Sequence, residues 1–141
     1  MRNREKEYEK RYAKKRQWLL DGKCRECGAE KIKRNPCAYC LKHYLIGVAN
    51  GRLGSGKYWK DIMLLLEKQN FRCALTGDTI SFDDNIELDH IIPSSKKGLS
   101  ELNNVRWVTK EANRLKQNLS DTELLLICQK VINHLSPLGK G

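Results

Sequence analysis

A short segment near the middle of the chain combines an acidic and a basic side chain with a run of strand-forming residues. Asp89 and His90 end the run 86–90, and the apolar residues 91–93 follow. Hydrolysis of a phosphodiester needs an activated water and a group that neutralises charge in the transition state. A neutral histidine can accept the proton of that water, so His90 is the predicted general base.

A second oxygen donor lies in the helix-forming run 110–118. Asn113 offers an amide oxygen there, and Asp89 offers a carboxylate. Hard oxygen ligands suit Mg²⁺ or Mn²⁺, so these two residues predict one catalytic divalent cation. Side chains of successive strand residues point to opposite faces. We therefore expect a local bend at the strand end to bring both Asp89 and His90 to the site.

Four cysteines near the N-terminus form a separate group. Two Cys-x-x-Cys turns, nine residues apart, predict a closed structural Zn²⁺ site held by Cys24, Cys27, Cys37 and Cys40. His43 follows Cys40 by three residues and is a competing ligand; a metal-free module is a further alternative. No secretion signal is recognisable, so we expect a cytoplasmic protein, bacterial or phage-encoded, in which cysteines bind metal rather than form disulfides.

The charge balance favours a polyanionic partner. The chain has 27 Lys and Arg against 17 Asp and Glu, a formal net charge of +10. The segment 1–20 predicts a basic helix, with a solvated tail as the alternative, and its candidate nucleic-acid contacts are Arg11, Lys14, Lys15 and Arg16. Lys96 and Lys97 lie in a loop that contacts phosphate or is merely solvated. The short apolar runs predict no membrane span.

The chain order predicts an α+β protein in four parts: a basic helix or tail (1–20), a zinc-binding module (21–46), a Gly-rich linker (47–56) and a second domain (57–141). Within the last part we expect an amphipathic helix at 57–69, a short strand at 78–82 and a strand, loop, strand, helix unit. Ser120 and Glu123 predict a capping box that begins a final helix. That helix is expected to bury Leu124, Ile127 or Cys128, Val131 and Leu135.

The segment from about residue 71 to 118 resembles the HNH endonucleases, the ββα-metal or His-Me finger class. The matching residues are Asp89-His90, Asn104, and Asn113 with Arg114 and Lys116, and Asn113 follows Asn104 by nine residues. The resemblance implies a small ββα-metal core flanked by helices, with Asp89 and Asn113 binding the metal and His90 activating water. It also implies that Asn104 holds the loop and orients His90, with Asn103 as a competitor. Lys116 and Arg114 would lie near phosphate.

One departure from the family concerns zinc. Members stapled by zinc carry cysteine pairs where this chain has Cys73 with Thr76 and Thr109 with Ala112. A second zinc site is therefore expected to be absent, and Cys73 is expected to be a buried thiol. The N-terminal cysteine module resembles the zinc ribbons that precede some phage-type HNH proteins.

These observations predict a metal-dependent endonuclease acting on double-stranded DNA. One active site cuts one strand, so a double-strand cut implies a homodimer or two successive events. Two alternatives stay open. One is a non-catalytic, zinc-dependent DNA-binding or regulatory protein; the other is a structure-selective or RNA-directed nuclease component.

Overall fold

The computed structural model describes residues 2–33 and 39–136. Helices and one antiparallel pair of strands make up an α+β protein, as predicted. Contacts divide the chain into two compact units, residues 1–64 with 81–85 and residues 65–80 with 86–141. Within the described ranges, no helix combines the length and apolar character that a membrane span requires. The elements are α1 (Arg2–Leu20), α2 (Leu41–Leu53), α3 (Trp59–Lys68), β1 (Ile86–His90), β2 (Val105–Thr109), α4 (Lys110–Lys116) and α5 (Asp121–Leu135).

The N-terminal segment is a helix, as the charge-rich composition predicted, and its end is tied to the first cysteine turn. Lys15 Nζ donates to Glu26 at 2.6 Å. Gly28 adopts a φ of 73°, and a Cβ there would lie 2.5 Å from the Trp18 ring. Only glycine fits this close approach without displacing the tryptophan.

The predicted linker at 47–56 is wrong, because α2 continues to Leu53. Leu45, Ala49 and Leu53 recur at intervals of four residues and are all buried. This helical period stabilises the segment despite the glycines inside it, whose cost is about 1 kcal/mol each. The helix ends at Gly54, which adopts the left-handed conformation typical of helix C-termini.

In the second unit, β1 and β2 pair in a register that sorts their side chains between two faces. Leu88 lies opposite Trp107, and Asp89 lies opposite Arg106. Leu88 and Trp107 are almost completely buried in the core. The Gln69 side chain bonds the backbone of Trp107 twice. Its Oε1 accepts from the Trp107 backbone N–H at 2.8 Å, and its Nε2 donates to the Trp107 carbonyl at 2.9 Å. The hairpin therefore has a core face and a second face that carries charged groups.

The strand predicted at 78–82 is wrong. The described structure there has a single bridge between Arg72 and Thr79, which closes a tight turn. The backbone N–H of Cys73 donates to the backbone carbonyl of Asp78 at 2.7 Å, and the N–H of Gly77 donates to the carbonyl of Cys73 at 2.9 Å. Side chains of this segment also bond each other: the Thr76 hydroxyl donates to the carboxylate of Asp78 at 2.7 Å. The segment thus uses its hydrogen-bonding groups locally instead of in a sheet.

The capping box at Ser120 and Glu123 is confirmed, and α5 begins there. The predicted burial of α5 is wrong, because the helix has no buried residue. Val131 and Leu135 keep 49% and 72% of their surface exposed, and Ile127 keeps 47%. The amphipathic period identified which face is apolar, but it did not show that another element of this chain covers that face.

We predict that Gly47→Ala increases the free energy of unfolding by about 0.5–1 kcal/mol. Gly47 lies inside α2, and a Cβ there would meet nothing within 4 Å. The opposite effect is expected for Gly54→Ala, because Gly54 has a φ of 73° that alanine adopts only with strain. Urea denaturation of both variants measures the difference; near-zero effects for both would indicate a flexible linker after all.

Candidate active site and zinc cluster

Asp89 lies on the charged face of the hairpin, where two cations bind its carboxylate. Lys116 Nζ donates to Oδ1 at 3.1 Å, and Arg106 Nε donates to Oδ2 at 3.3 Å. Asp89 is only 6% exposed. Arg106 is directly opposite Asp89 in the strand register, and Lys116 is in the last turn of α4. Both strands and the following helix therefore converge on this carboxylate.

A second carboxylate neutralises Arg106. Its guanidinium donates two hydrogen bonds to Asp121, at 2.7 and 2.6 Å, in the planar fork geometry that arginine favours. Burial alone would lower the pKa of Arg106, but the hydrogen bonds and charge of Asp121, and then those of Asp89, raise it. The hydrogen bonds from Arg106 also hold the pKa of Asp121 below its usual range. Neither residue was singled out from the sequence.

Lys116, which the resemblance predicted to lie near phosphate, binds Asp89. Its side chain is completely buried, and its ammonium also donates to the carbonyl of His90 at 2.9 Å. An ammonium enclosed in this way neutralises Asp89. A contact between Lys116 and phosphate stays a prediction. Arg114 and Lys97 are exposed, and Lys96 forms an ion pair with Glu123 at 2.8 Å.

Asn113 contacts the same face of β1 as Lys116, three residues earlier on α4. Its Nδ2 donates to Glu87 Oε2 at 2.5 Å. Glu87 precedes Asp89 by two residues, so both carboxylates lie on one face of the strand. Asn113 therefore contacts the strand face that carries Asp89, through Glu87, a residue that the sequence analysis missed. Binding of one metal by Asp89 and Asn113 stays a prediction. The signal available was the Glu-x-Asp spacing at the end of the strand.

His90 is the last residue of β1 and is half-buried. The strand pairing continues through it, with Val105 as its partner. The bend expected between Asp89 and His90 is therefore wrong: the chain leaves the ladder after His90. The two adjacent side chains start from opposite faces at the strand end.

Asn104 fixes the loop that follows His90. Its Oδ1 accepts from Ile92 N–H at 2.9 Å, and its Nδ2 donates to the carbonyls of Leu99 and Ile92 at 2.8 and 3.1 Å. Its own carbonyl accepts from Ile91 N–H at 2.9 Å. Asn104 is buried and Asn103 is exposed. The hydrogen bonds expected of the orienting asparagine are therefore made by Asn104.

The N-terminal unit gathers three cysteines and a histidine within 4.8 Å of one another, Cys24, Cys27, Cys40 and His43. The Cys24 and Cys40 sulfurs lie 3.7 and 3.3 Å from His43 Nδ1, and the Cys27 and Cys40 sulfurs lie 3.7 Å apart. Ligand atoms of a tetrahedral zinc site are separated by roughly 3.5–3.8 Å at the usual bond lengths. The cluster could therefore hold a zinc ion. Cys37, the remaining predicted ligand, lies outside the described residues.

The local electrostatics favour a thiolate at Cys24. Burial would raise the pKa of Cys24, but hydrogen bonds from the backbone N–H groups of Cys40, Glu26 and Cys27 outweigh it and lower the pKa to about 6. Burial raises the pKa of Cys40. Zinc binds thiolates, so the turn around Cys24 already provides one ligand in the required ionisation state near neutral pH.

The turn that begins at Cys73 has no cluster of metal-binding side chains within the described part of the chain. Cys73 is 2% exposed, as predicted for a buried thiol, and its sulfur accepts from Thr109 N–H at 3.3 Å. Burial would raise the pKa of Cys73, but hydrogen bonds from Thr76 and Thr109 lower it. Hydrogen bonds from the protein thus surround this thiol.

We predict that Asn104→Ala lowers the free energy of unfolding by about 1–3 kcal/mol, because it removes the three hydrogen bonds between this buried side chain and the backbone of residues 92 and 99. Asn103→Ala is the matched control: this exposed neighbour should change stability by less than about 0.5 kcal/mol. Chemical denaturation of the two variants distinguishes them. Equal losses would show that Asn104 does not hold the loop.

A comparison with protein families found a match in the part of the chain that carries both strands. The family model described as HNH endonuclease matches residues 73–120, which include the cysteine turn at Cys73, both strands and α4. A search of curated proteins found no match. The matched range contains Asp89, His90, Asn104 and Asn113, and the match indicates nuclease activity. Residues 73–120 of this chain therefore match the HNH endonuclease family and resemble its nuclease domain.

Proposed function

We propose that the protein is a metal-dependent DNA endonuclease that hydrolyses phosphodiester bonds with a water activated by His90. One observation carries the proposal: α4 brings Asn113 to the face of β1 that bears Asp89. Asn113 bonds Glu87, and Lys116, one turn later on the helix, bonds Asp89. Two residues with oxygen donors, on separate elements, therefore contact one face of the strand that carries His90.

Asp89 and Asn113 would hold one Mg²⁺ or Mn²⁺. Their carboxylate and amide oxygens are the hard donors that such ions prefer. The ion, when bound, neutralises charge on the phosphate oxygens and stabilises the leaving oxygen. Asp121 supports this arrangement, because it neutralises Arg106 and so leaves less positive charge beside Asp89.

His90 would accept the proton of the attacking water. The imidazole is half-buried at the strand end, and the loop after it is held by Asn104. The carbonyl of His90 is fixed by Lys116. A general base is effective when its position is fixed relative to the water, so these backbone restraints favour the assignment.

The substrate in this proposal is double-stranded DNA. The net charge of +10 and the exposed basic side chains of α1 favour a polyanion. Arg11, Lys14 and Arg16 are exposed, whereas Lys15 is paired with Glu26. One catalytic centre cuts one strand. The protein would therefore nick DNA as a monomer or cut both strands as a homodimer.

We further propose that one structural Zn²⁺ is held by Cys24, Cys27, Cys40 and His43. The separations of their ligand atoms fit a tetrahedral site, and Cys24 is inclined to ionise. A closed site of this kind stabilises a turn that has little apolar core. Cys37 is the competitor for the fourth position.

Supercoiled plasmid DNA with Mg²⁺ tests the nuclease directly. We predict nicking or linearisation by the zinc-loaded protein, and a rate reduced about 10²–10⁴-fold in His90→Ala because the general base is lost. His134→Ala is the matched control, since His134 is an exposed histidine on α5. It should retain the wild-type rate.

Gel-shift assays of the same proteins decide between enzyme and binding module. We expect His90→Ala to bind duplex DNA as tightly as the wild type. A wild-type protein that binds DNA tightly but cleaves no duplex, branched or single-stranded substrate would contradict the proposal and support the non-catalytic alternative. Cleavage restricted to branched DNA would support the structure-selective alternative.

The zinc assignment predicts one Zn²⁺ per chain, with affinity lowered at least tenfold in His43→Ala and nearly unchanged in Cys37→Ser. Competition with a chromogenic chelator measures both affinities. The thiolate-to-metal absorption of the Co²⁺-substituted protein reports the number of sulfur ligands. The reverse order of the two variants, with absorption typical of four thiolates, would assign the fourth position to Cys37.

A further inference from the structure

Glu87 is a carboxylate in the catalytic unit that the proposed chemistry does not yet use. It is half-buried on β1, on the same strand face as Asp89. Its Oε2 accepts a hydrogen bond from Asn113 Nδ2 at 2.5 Å. The contact joins the strand to α4 at the residue assigned to the metal.

The direction of this hydrogen bond has a chemical consequence. An ionised carboxylate can only accept hydrogen bonds, whereas an amide has one donor end and one acceptor end. Asn113 must therefore turn its Nδ2 towards Glu87, which leaves Oδ1 on the other side of the amide. A hard cation binds the amide through that oxygen. If the residue at position 87 could also donate a hydrogen bond, the Asn113 amide could rotate and present its NH₂ group to the cation.

Glu87 also contributes to the local charge balance. Arg106 and Lys116 both bind Asp89 and oppose the binding of a divalent cation there, and Asp121 offsets one of them. The Glu87 charge offsets the other. With Glu87 the three carboxylates exceed the two cations by one negative charge, so a divalent cation is attracted to this face.

We propose that Glu87 is a positioning residue that holds the Asn113 amide with its oxygen towards the divalent cation. This inference rests on the proposed metal-dependent nuclease. Outer-shell partners of metal ligands typically change metal affinity by roughly 10–100-fold when removed. Glu87 acts on affinity for the ion, and the chemistry at saturating ion is expected to change less.

The test compares metal binding by Glu87→Ala with that by Glu111→Ala. Glu111 is an exposed glutamate in the first turn of α4 and controls for loss of a negative charge near the site. Binding of Mn²⁺ to the zinc-loaded protein is followed by electron paramagnetic resonance, and loss of the signal in Asp89→Asn assigns the ion to this site. We expect Glu87→Ala to weaken Mn²⁺ binding roughly 10–100-fold and to raise the Mg²⁺ concentration for half-maximal cleavage equally. Glu111→Ala should change neither.

A conservative variant keeps the test decisive if Glu87→Ala folds poorly. Glu87→Gln keeps the size of the side chain, but its amide can donate as well as accept, so Asn113 is no longer held with its oxygen towards the ion. We expect Glu87→Gln also to weaken Mn²⁺ binding, whereas Glu111→Gln should not. Wild-type Mn²⁺ affinity in Glu87→Ala, with only the melting temperature lowered, would overturn this inference and leave the nuclease intact. A wild-type protein that binds no ion at this site would overturn both.

Discussion

A buried lysine and the carboxylate that neutralises it hold α4 against the pair of strands. Lys116 has no exposed surface, and an unpaired ammonium in such a position would cost several kcal/mol. Its bonds to Asp89 and to the His90 carbonyl fasten α4 to the end of β1. Arg106 extends the same network to Asp121, the first residue of α5. The position of the proposed general base therefore depends on an ion pair that is also part of the fold.

Because Asp89 neutralises Lys116 and is also a proposed metal ligand, its replacement by alanine does not separate activity from stability. An alanine there would remove a proposed metal ligand and also leave Lys116 without its charge partner. Loss of activity would then mix chemistry with stability, since breaking a buried pair costs roughly 3–5 kcal/mol. His90 and Glu87 are better probes: the imidazole can be removed without exposing a buried charge, and Glu87 is only half-buried.

Local signals predicted much of this structure, and signals that depend on pairing did not. The capping box at Ser120 and the loop-holding asparagine at Asn104 need only short-range spacing, and both are present in the structure. Arg106 becomes a partner of Asp89 only through the strand register, and a shift of one residue would turn it to the other face. The sequence gives no direct measure of that register. The linker predicted at 47–56 was wrong for a different reason. The glycines there are typical of loops, but Leu45, Ala49 and Leu53 recur at a helical period and are buried in α2.

The two cysteine turns show how one backbone turn can be stabilised in two ways. In each turn the backbone N–H of the cysteine, Cys24 or Cys73, donates to the carbonyl five residues later. The N–H of a glycine with positive φ, Gly28 or Gly77, donates to the carbonyl of that cysteine. Around Cys24 the thiol groups lie close to His43, whereas around Cys73 the sulfur accepts hydrogen bonds from Thr109 and Thr76. Zinc removal should therefore disturb the N-terminal unit and spare the nuclease unit. A chelator added to a cleavage reaction would remove both the proposed zinc and the proposed catalytic ion, so its effect alone does not identify an ion at Asp89. Restoring activity with Mg²⁺ in protein that has kept its zinc separates the two, because the hard oxygen donors and the soft thiolates select different metals.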